Sequence, residues 1–208
     1  MNPGYLSLLL IVVSLILIAS GWKDVLIRGI TRMSLLLFFM GWLIGTAWSF
    51  PAGEQAVNGV MLVLSALAAA VLVRSPGVLL RLHLLSVGML LASVHFFLRE
   101  TLPLAPMLVV VTPECTSALL VGLIGAVLLR SPAAQIGSVT LGLLMGEAMS
   151  FYAHKEAWAG VIGGPAFQDG WWLTVYAVRG CSMVVVTLHR SVRSALRFLW
   201  SSLRGDKE

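Results

Sequence analysis

The chain contains little charge of either sign. Only 11% of its 208 residues are Asp, Glu, Lys or Arg, whereas 59% are hydrophobic and the mean hydropathy is +0.95. A soluble domain of this length needs much more polar surface to enclose its core. The composition therefore excludes an ordinary soluble protein and indicates that lipid surrounds most of the chain.

Cysteines and catalytic motifs are also scarce. The two cysteines, Cys115 and Cys181, lie in apolar segments without C-x-x-C or Cys/His spacing, so we expect neither a disulfide framework nor a metal site. The sequence lacks H-E-x-x-H, G-x-S-x-G and P-loop motifs. Retinal would need a lysine where the last span has Arg179, and haem is disfavoured because His83 and His95 lie at opposite ends of one span. We expect no cofactor.

Seven apolar stretches approach the ~20 helical residues that a bilayer core of ~30 Å requires. They cover residues 4–22, 33–50, 58–73, 78–98, 105–129, 133–152 and 171–188. Short Pro- and Gly-containing segments separate them. The sequence predicts an all-α, polytopic transmembrane helical bundle over residues 1–190, followed by a basic amphipathic tail over residues 191–208.

The basic residues predict the orientation of this bundle. If the odd-numbered loops face the cytoplasm, eleven of the fourteen Lys and Arg residues lie inside, Arg99 and Lys155 lie outside, and Arg179 lies in the membrane. This bias predicts an N-out, C-in topology and disfavours a nucleic-acid partner, despite the net charge of +5. Five tryptophans fall at the predicted membrane surfaces, namely Trp22 and Trp200 inside and Trp48, Trp171 and Trp172 outside.

Spans 3–4 and 5–6 resemble each other. Val71-Leu-Val-Arg-Ser-Pro76 recurs 56 residues later as Val127-Leu-Leu-Arg-Ser-Pro132. Because two spans separate the copies, both keep the same orientation, so we predict a parallel hairpin repeat. The small residues of Gly41-x-x-x-Gly45 and Gly142-x-x-x-Gly146 permit close helix contacts, either within the bundle or in a homo-oligomer.

The tail has apolar residues at helical spacing, and its basic residues lie mostly elsewhere around the axis: Arg193, Arg197 and Arg204. This pattern predicts an interfacial helix that contacts anionic lipid. A plain stop-transfer tail is the alternative. Membrane lipids are thus expected partners, and a second copy or another membrane protein is a further candidate.

Charges within a membrane are costly and usually mark a partner or a water-filled cavity. Counted from the predicted outer ends at ~1.5 Å per residue, Glu114 lies about 14 Å deep, Arg179 about 12 Å and Glu147 about 8 Å. His95 and Tyr176 could join them in the outer half, and Pro113 could kink span five beside Glu114. We predict either a binding or proton-handling pocket that opens outside, or an ion pair between Glu114 and Arg179 that fixes helix register.

Three features resemble the YphA-like family of small integral membrane proteins. They are the start Met1-Asn-Pro-Gly-Tyr5, the segment Trp22-Lys-Asp24 at the end of span one, and the Arg-Ser-Pro turns. The resemblance covers the whole chain and implies the plasma membrane of a bacterium. It transfers no activity and no functional residue.

These observations favour a non-enzymatic bundle that binds a small molecule, lipid or membrane partner. The bundle would transport a small solute or proton through the region of Glu114 and Arg179, or act as a scaffold. The alternative is a membrane-embedded enzyme that acts on a lipid, with Glu114 or Glu147 as general base beside His95.

Overall fold

The structure is a computed structural model that describes residues 2–27, 29–52, 55–155 and 160–205, except for the side chains of residues 25, 26, 52, 190 and 195–205. Its helices are α1 (Tyr5–Ala19), α2 (Lys23–Leu26), α3 (Arg32–Ala47), α4 (Val60–Arg74), α5 (Val78–Thr101), α6 (Pro113–Leu128), α7 (Pro132–Ala153) and α8 (Pro165–Gly205). A 3₁₀ turn covers Pro106–Leu108. Each of the seven predicted spans overlaps one of the helices that have 15 or more residues.

Three of the described helices are long and apolar enough to cross a membrane: α5, α7 and the Pro165–Ser194 part of α8. The helices α1, α3, α4 and α6 are also apolar but have only 15 or 16 residues. A bilayer core takes ~20 helical residues, so these four are shorter than a standard span.

Local sequence explains where several helices begin. The side-chain oxygens of Thr31, Thr112 and Ser131 each accept a hydrogen bond from the backbone N–H three residues later, which caps α3, α6 and α7. Proline occupies the first turn of α6 and α7, where its missing N–H costs nothing. The turn between α4 and α5 needs Gly77, whose φ of 80° is unfavourable for other residues.

In the described part of the chain, three short strands, which the sequence did not predict, accompany the helices. Strands β1 (Ser49–Ala52) and β2 (Gln55–Asn58) pair antiparallel, and β3 (Val161–Ile162) adds in parallel to β2. Span two was predicted to continue to residue 50, but α3 ends at Ala47 and Trp48 is extended. These strands are too short to show the alternating pattern that predicts β-structure.

Helix α7 lies at the centre of the bundle, where it packs against α4, α5 and α8, while α6 packs against α8. A Cβ at Gly142 would lie 2.8 Å from the Leu91 Cβ and 3.0 Å from the Gly88 carbonyl oxygen of α5. A Cβ at Gly45 would lie 3.0 Å from the Val60 nitrogen. Glycine therefore permits close packing of α5 on α7 and of α3 on α4, within the bundle.

An aromatic cluster joins α3 to α8. Trp171 and Trp172 of α8 pack against three aromatic residues of α3, which are Phe38, Phe39 and Trp42. The prediction that Trp171 and Trp172 anchor the outer interface was wrong, because they are only 2% and 4% exposed. Trp22 and Trp48 are exposed, and the side chain of Trp200 lies outside the described residues.

Two helices begin at other residues than predicted, which changes the distance of Glu114 and Arg179 from the helix ends. Helix α6 begins at Pro113 instead of residue 105, and α8 begins at Pro165 instead of residue 171. Helix α8 also continues past residue 190 to Gly205 without interruption, so the described part of the predicted tail belongs to the same helix as the last span. Within the tail Arg193 is exposed, while the side chains of Arg197 and Arg204 lie outside the described residues.

Candidate functional site

A cavity of about 580 Å³ lies where α5 and α7 end and α6 and α8 begin. All four helices contribute to its wall, together with Pro3 and part of the segment that leads into α8, so we call it the four-helix cavity. Leu98, Leu143, Phe167 and Trp171 supply apolar wall. Its polar side chains are His95, Arg99, Glu114, Ser117, Glu147 and Thr174.

An ion pair between α5 and α7 forms part of the cavity wall. The Arg99 Nη1 donates to Glu147 Oε2 across 2.6 Å. The Arg99 side chain is 43% exposed and that of Glu147 only 4%, so the pair extends from the surface into the interior. Glu147 lies six residues, about 9 Å, before the end of α7. Its depth in the membrane stays a prediction. The guanidinium supplies the charge that a buried carboxylate requires.

A second polar contact joins α5 to α6 in the same cavity. His95 Nδ1 lies 3.2 Å from Ser117 Oγ, at hydrogen-bond distance, and Ser117 is buried. The His95 ring fits against α7 because residue 146 is glycine: a Cβ there would lie 2.9 Å from His95 Cδ2. The small residue of the Gly142-x-x-x-Gly146 motif thus also makes room for a cavity-lining imidazole.

Glu114 lines this cavity but does not pair with Arg179, which corrects the predicted ion pair. It lies in the first turn of α6 and is exposed, instead of about 14 Å deep in a longer helix. Among the described residues, the side-chain ion pairs join Arg99 to Glu147 and His154 to Glu100. Pro113 opens α6 and does not kink it.

Arg179 belongs to a separate buried site. It lies about 21 Å along α8 from Pro165 at ~1.5 Å per residue, and its Nη1 donates to Gln135 Oε1 across 2.5 Å. Gln135 lies in the first turn of α7, at the end opposite to the four-helix cavity. Its Nε2 donates to the Leu129 carbonyl and to Ser182 Oγ. We call these four residues the Gln135 network.

Tyr176 is also absent from the four-helix cavity. Its hydroxyl donates to the Leu10 carbonyl and contacts Ser14 Oγ at 2.8 Å, so it ties α8 to α1. Together with Arg179 it lines a pocket of only about 60 Å³ with a mostly apolar wall. Three of the five residues predicted to share a polar pocket therefore do so, namely His95, Glu114 and Glu147. Ligand binding by them stays a prediction.

Sequence reasoning missed the partners of these residues. Arg99 was assigned to an outer loop, but α5 continues to Thr101 and places its guanidinium on the bundle. Ser117 and Gln135 were not singled out, although both are polar residues inside apolar segments, which is the available signal. Within the described part of the chain, no three His, Cys, Asp or Glu side chains cluster as a metal would require.

These features define a helical bundle of the integral membrane class with a polar cavity at one end. The family model of YphA-like integral membrane proteins matches residues 26–202, so the chain belongs to that family and is an integral membrane protein. The predicted resemblance is confirmed. None of the curated proteins and none of the solved structures matches the chain.

Proposed function

We propose that the protein is a seven-span bundle, N-out and C-in, that binds a small molecule in the four-helix cavity without catalysing a reaction on it. Such a site would serve as a receptor or as the outer binding site of a transporter in the plasma membrane of a bacterium. The observation that carries the proposal is the Arg99–Glu147 pair, because a charge pair that extends from the surface into the wall of a cavity of this volume offers specific contacts to a ligand.

The charge pattern supports the proposed orientation. The four-helix cavity lies at the opposite end of the bundle from the Arg74-Ser75-Pro76 and Arg130-Ser131-Pro132 turns. If those basic turns face the cytoplasm, the cavity opens on the outer side. The four helices of 15 or 16 residues would cross with their flanking residues in the interfacial region or where the bilayer is locally thin.

Helix boundaries also support the proposed repeat. The hairpin α4–α5 and the hairpin α6–α7 each place a short helix before a longer one and turn at Arg-Ser-Pro. A parallel repeat of this kind builds the cavity from both copies, because His95 and Arg99 come from the first hairpin and Ser117 and Glu147 from the second. Exposed Arg193 supports contact of the tail with anionic lipid.

Cysteine labelling tests the proposal. In a background with Cys115 and Cys181 replaced by alanine, Ser117→Cys should react with a small, membrane-impermeant thiosulfonate added to intact cells, since Ser117 lines the cavity. Met107→Cys is the accessible control because Met107 is 91% exposed in the loop before α6. Ser138→Cys, 2% exposed in α7, is the protected control. Protection of Ser117→Cys beside a reactive Met107→Cys would contradict an outward-open cavity.

A membrane-embedded enzyme that acts on a lipid is the second candidate, and the contact between His95 and Ser117 favours it. A serine hydroxyl beside an imidazole can attack an ester carbonyl while its proton passes to the ring nitrogen. Glu147, bound to Arg99, is less suited to the role of general base proposed from the sequence.

A fluorophosphonate probe separates the two candidates. A catalytic serine would displace fluoride and retain the phosphonyl group, so the enzyme predicts labelling of the wild type and none of Ser117→Ala. Ser93→Ala is a suitable control, because Ser93 lies on α5 and bonds only its own helix among the described residues. The binding function predicts no labelling that depends on Ser117.

A further inference from the structure

Among the described residues, a protein group binds only one of the two carboxylate oxygens of Glu147. Its Oε2 accepts the hydrogen bond from Arg99, whereas among the described residues Oε1 accepts none. A carboxylate oxygen that no protein group binds takes its hydrogen bonds from water or from a ligand. Because Glu147 lines the four-helix cavity, this oxygen is placed to receive an N–H or O–H group from a ligand.

The charges of the ion pair restrict the ligand further. Arg99 and Glu147 carry opposite charges, and the other carboxylate of the wall, Glu114, is exposed to solvent. A ligand with a single charge would therefore be attracted by one member of the pair and repelled by the other. A zwitterion adds no net charge. Its cation can bind Glu147, and its anion can bind the guanidinium, whose five N–H donors allow more than one partner at a time.

The rest of the wall requires an apolar body. Phe167, Trp171 and Leu143 line the same cavity as these polar groups, and the volume of about 580 Å³ lies within the range of small-molecule sites. A small, fully polar zwitterion would leave this apolar surface without contacts. An apolar group attached to the zwitterion would cover it.

We infer that the four-helix cavity binds an amphipathic zwitterion. Its primary ammonium group binds Glu147, its carboxylate or phosphate binds Arg99, and an apolar body carries both charged groups. This inference rests on the proposed binding function and names its ligand class. Two sources supply this chemistry on the outer side, namely a free apolar amino acid and the headgroup of an ethanolamine phospholipid.

Binding measurements on the purified full chain in dodecyl maltoside test the ligand class. The first series compares L-phenylalanine with phenethylamine, which keeps only the cation, and with 3-phenylpropionate, which keeps only the anion. The second compares dihexanoyl phosphatidylethanolamine with dihexanoyl phosphatidylcholine, whose quaternary ammonium has no N–H. We expect at least one primary-ammonium zwitterion to bind, on the order of tenfold or more tightly than its comparison compounds. The series that responds identifies the source.

Variants connect binding to the ion pair. Glu147→Gln should weaken binding of the preferred zwitterion on the order of tenfold or more, whereas Glu100→Gln should leave it unchanged. Glu100 lies beside Arg99 on α5 but pairs with His154 and is not part of the cavity wall. If Glu147→Gln does not fold, Arg99→Gln gives the same test at a more exposed position. Where the amino-acid series responds, the affinity of Arg99→Gln for L-phenylalanine should fall to its affinity for phenethylamine, which lacks the carboxylate.

The possible results distinguish a wrong ligand class from a wrong binding function. Equal affinity for the zwitterion and its singly charged analogues, or full binding by Arg99→Gln, overturns the ligand class. If Ser117→Cys is labelled from outside but neither zwitterion binds, the ligand class is overturned while the proposed binding function stands. If Ser117→Cys is protected and no zwitterion binds, both fail.

Discussion

The Arg179 guanidinium of α8 binds the side-chain oxygen of Gln135 on α7, across 2.5 Å. Gln135 is fully buried and donates its own N–H groups to the Leu129 carbonyl, across 2.6 Å, and to Ser182 Oγ, across 3.0 Å. One glutamine thus connects the end of α6, the start of α7 and the middle of α8. A network in which each polar group has a partner can stabilise helix contacts where water is scarce.

Replacement of Gln135 by leucine should destabilise the protein by about 2–3 kcal/mol, because the variant removes a hydrogen bond to a charged group and two further acceptors lose their donor. SDS-induced unfolding in dodecyl maltoside would measure the change in the free energy of unfolding. Gln55→Leu, in the partly buried hairpin, should change it by about 0.5 kcal/mol or less. Equal effects of the two substitutions would show that the Gln135 network contributes little.

A double-mutant cycle should detect the Arg99–Glu147 pair. We expect Arg99→Gln and Glu147→Gln to couple by about 1–3 kcal/mol in the free energy of unfolding, because either substitution alone already breaks the ion pair and Arg99→Gln leaves the buried Glu147 carboxylate without this cation. The same cycle on Glu114 and Arg179 should be additive within about 0.5 kcal/mol. Glu114 is exposed at the start of α6, while Arg179 bonds Gln135. Strong coupling of Glu114 to Arg179 would restore the pairing that the sequence suggested.

The order of the seven described helices that have 15 or more residues could be predicted from the sequence because apolar length and the Arg-Ser-Pro turns are local signals, whereas the short α2 was missed. The start of α6 was also readable. Thr112, Pro113 and Glu114 form an N-cap, a first-turn proline and an acidic first turn, which together indicate a helix start. The apolar residues before them obscured that signal, and the depth of Glu114 was overestimated as a result.

The pairing of the polar side chains could not be predicted in the same way. Depth along a helix follows from counting, but the direction of a side chain around the axis depends on packing with its neighbours. The position of Glu147 along α7 followed from the sequence, yet its partner Arg99 depends on how α5 and α7 face each other. The burial of Trp171 and Trp172 likewise depends on α3, which no local pattern in α8 reveals.

Close packing at Gly142 should make even one added methyl group costly. A Cβ at this position would lie 2.8 Å from the Leu91 Cβ and 3.0 Å from the Gly88 carbonyl oxygen, and the backbone atom cannot move without shifting α5. We expect Gly142→Ala to destabilise by about 1–3 kcal/mol in the same unfolding assay. Gly180→Ala is the matched control, since nothing lies within 4 Å of its added Cβ.

The Gly180 control should move in the opposite direction. Alanine is favoured over glycine in a helix by about 0.5–1 kcal/mol, so Gly180→Ala should be neutral or stabilising. If Gly142→Ala behaves like Gly180→Ala, α5 and α7 do not pack as closely as described.

Asp169 should hold α1 on the bundle, because its carboxylate on α8 accepts hydrogen bonds from the backbone N–H groups of Gly4, across 2.7 Å, and Ser7, across 2.6 Å. The first N–H groups of a helix have no partner within the helix, and here a residue 162 positions away in sequence supplies one. Asp169→Ala should lower the free energy of unfolding by about 1–2 kcal/mol.

Hydrogen exchange measures the effect on α1. In Asp169→Ala, exchange of peptides from residues 4–19 should accelerate, with α5 unaffected. Thr112→Ala, which removes a cap within α6 itself, should accelerate exchange at residues 114–117 and leave α1 unchanged. Unchanged exchange in α1 for Asp169→Ala would mean that the Tyr176 contacts suffice to hold it.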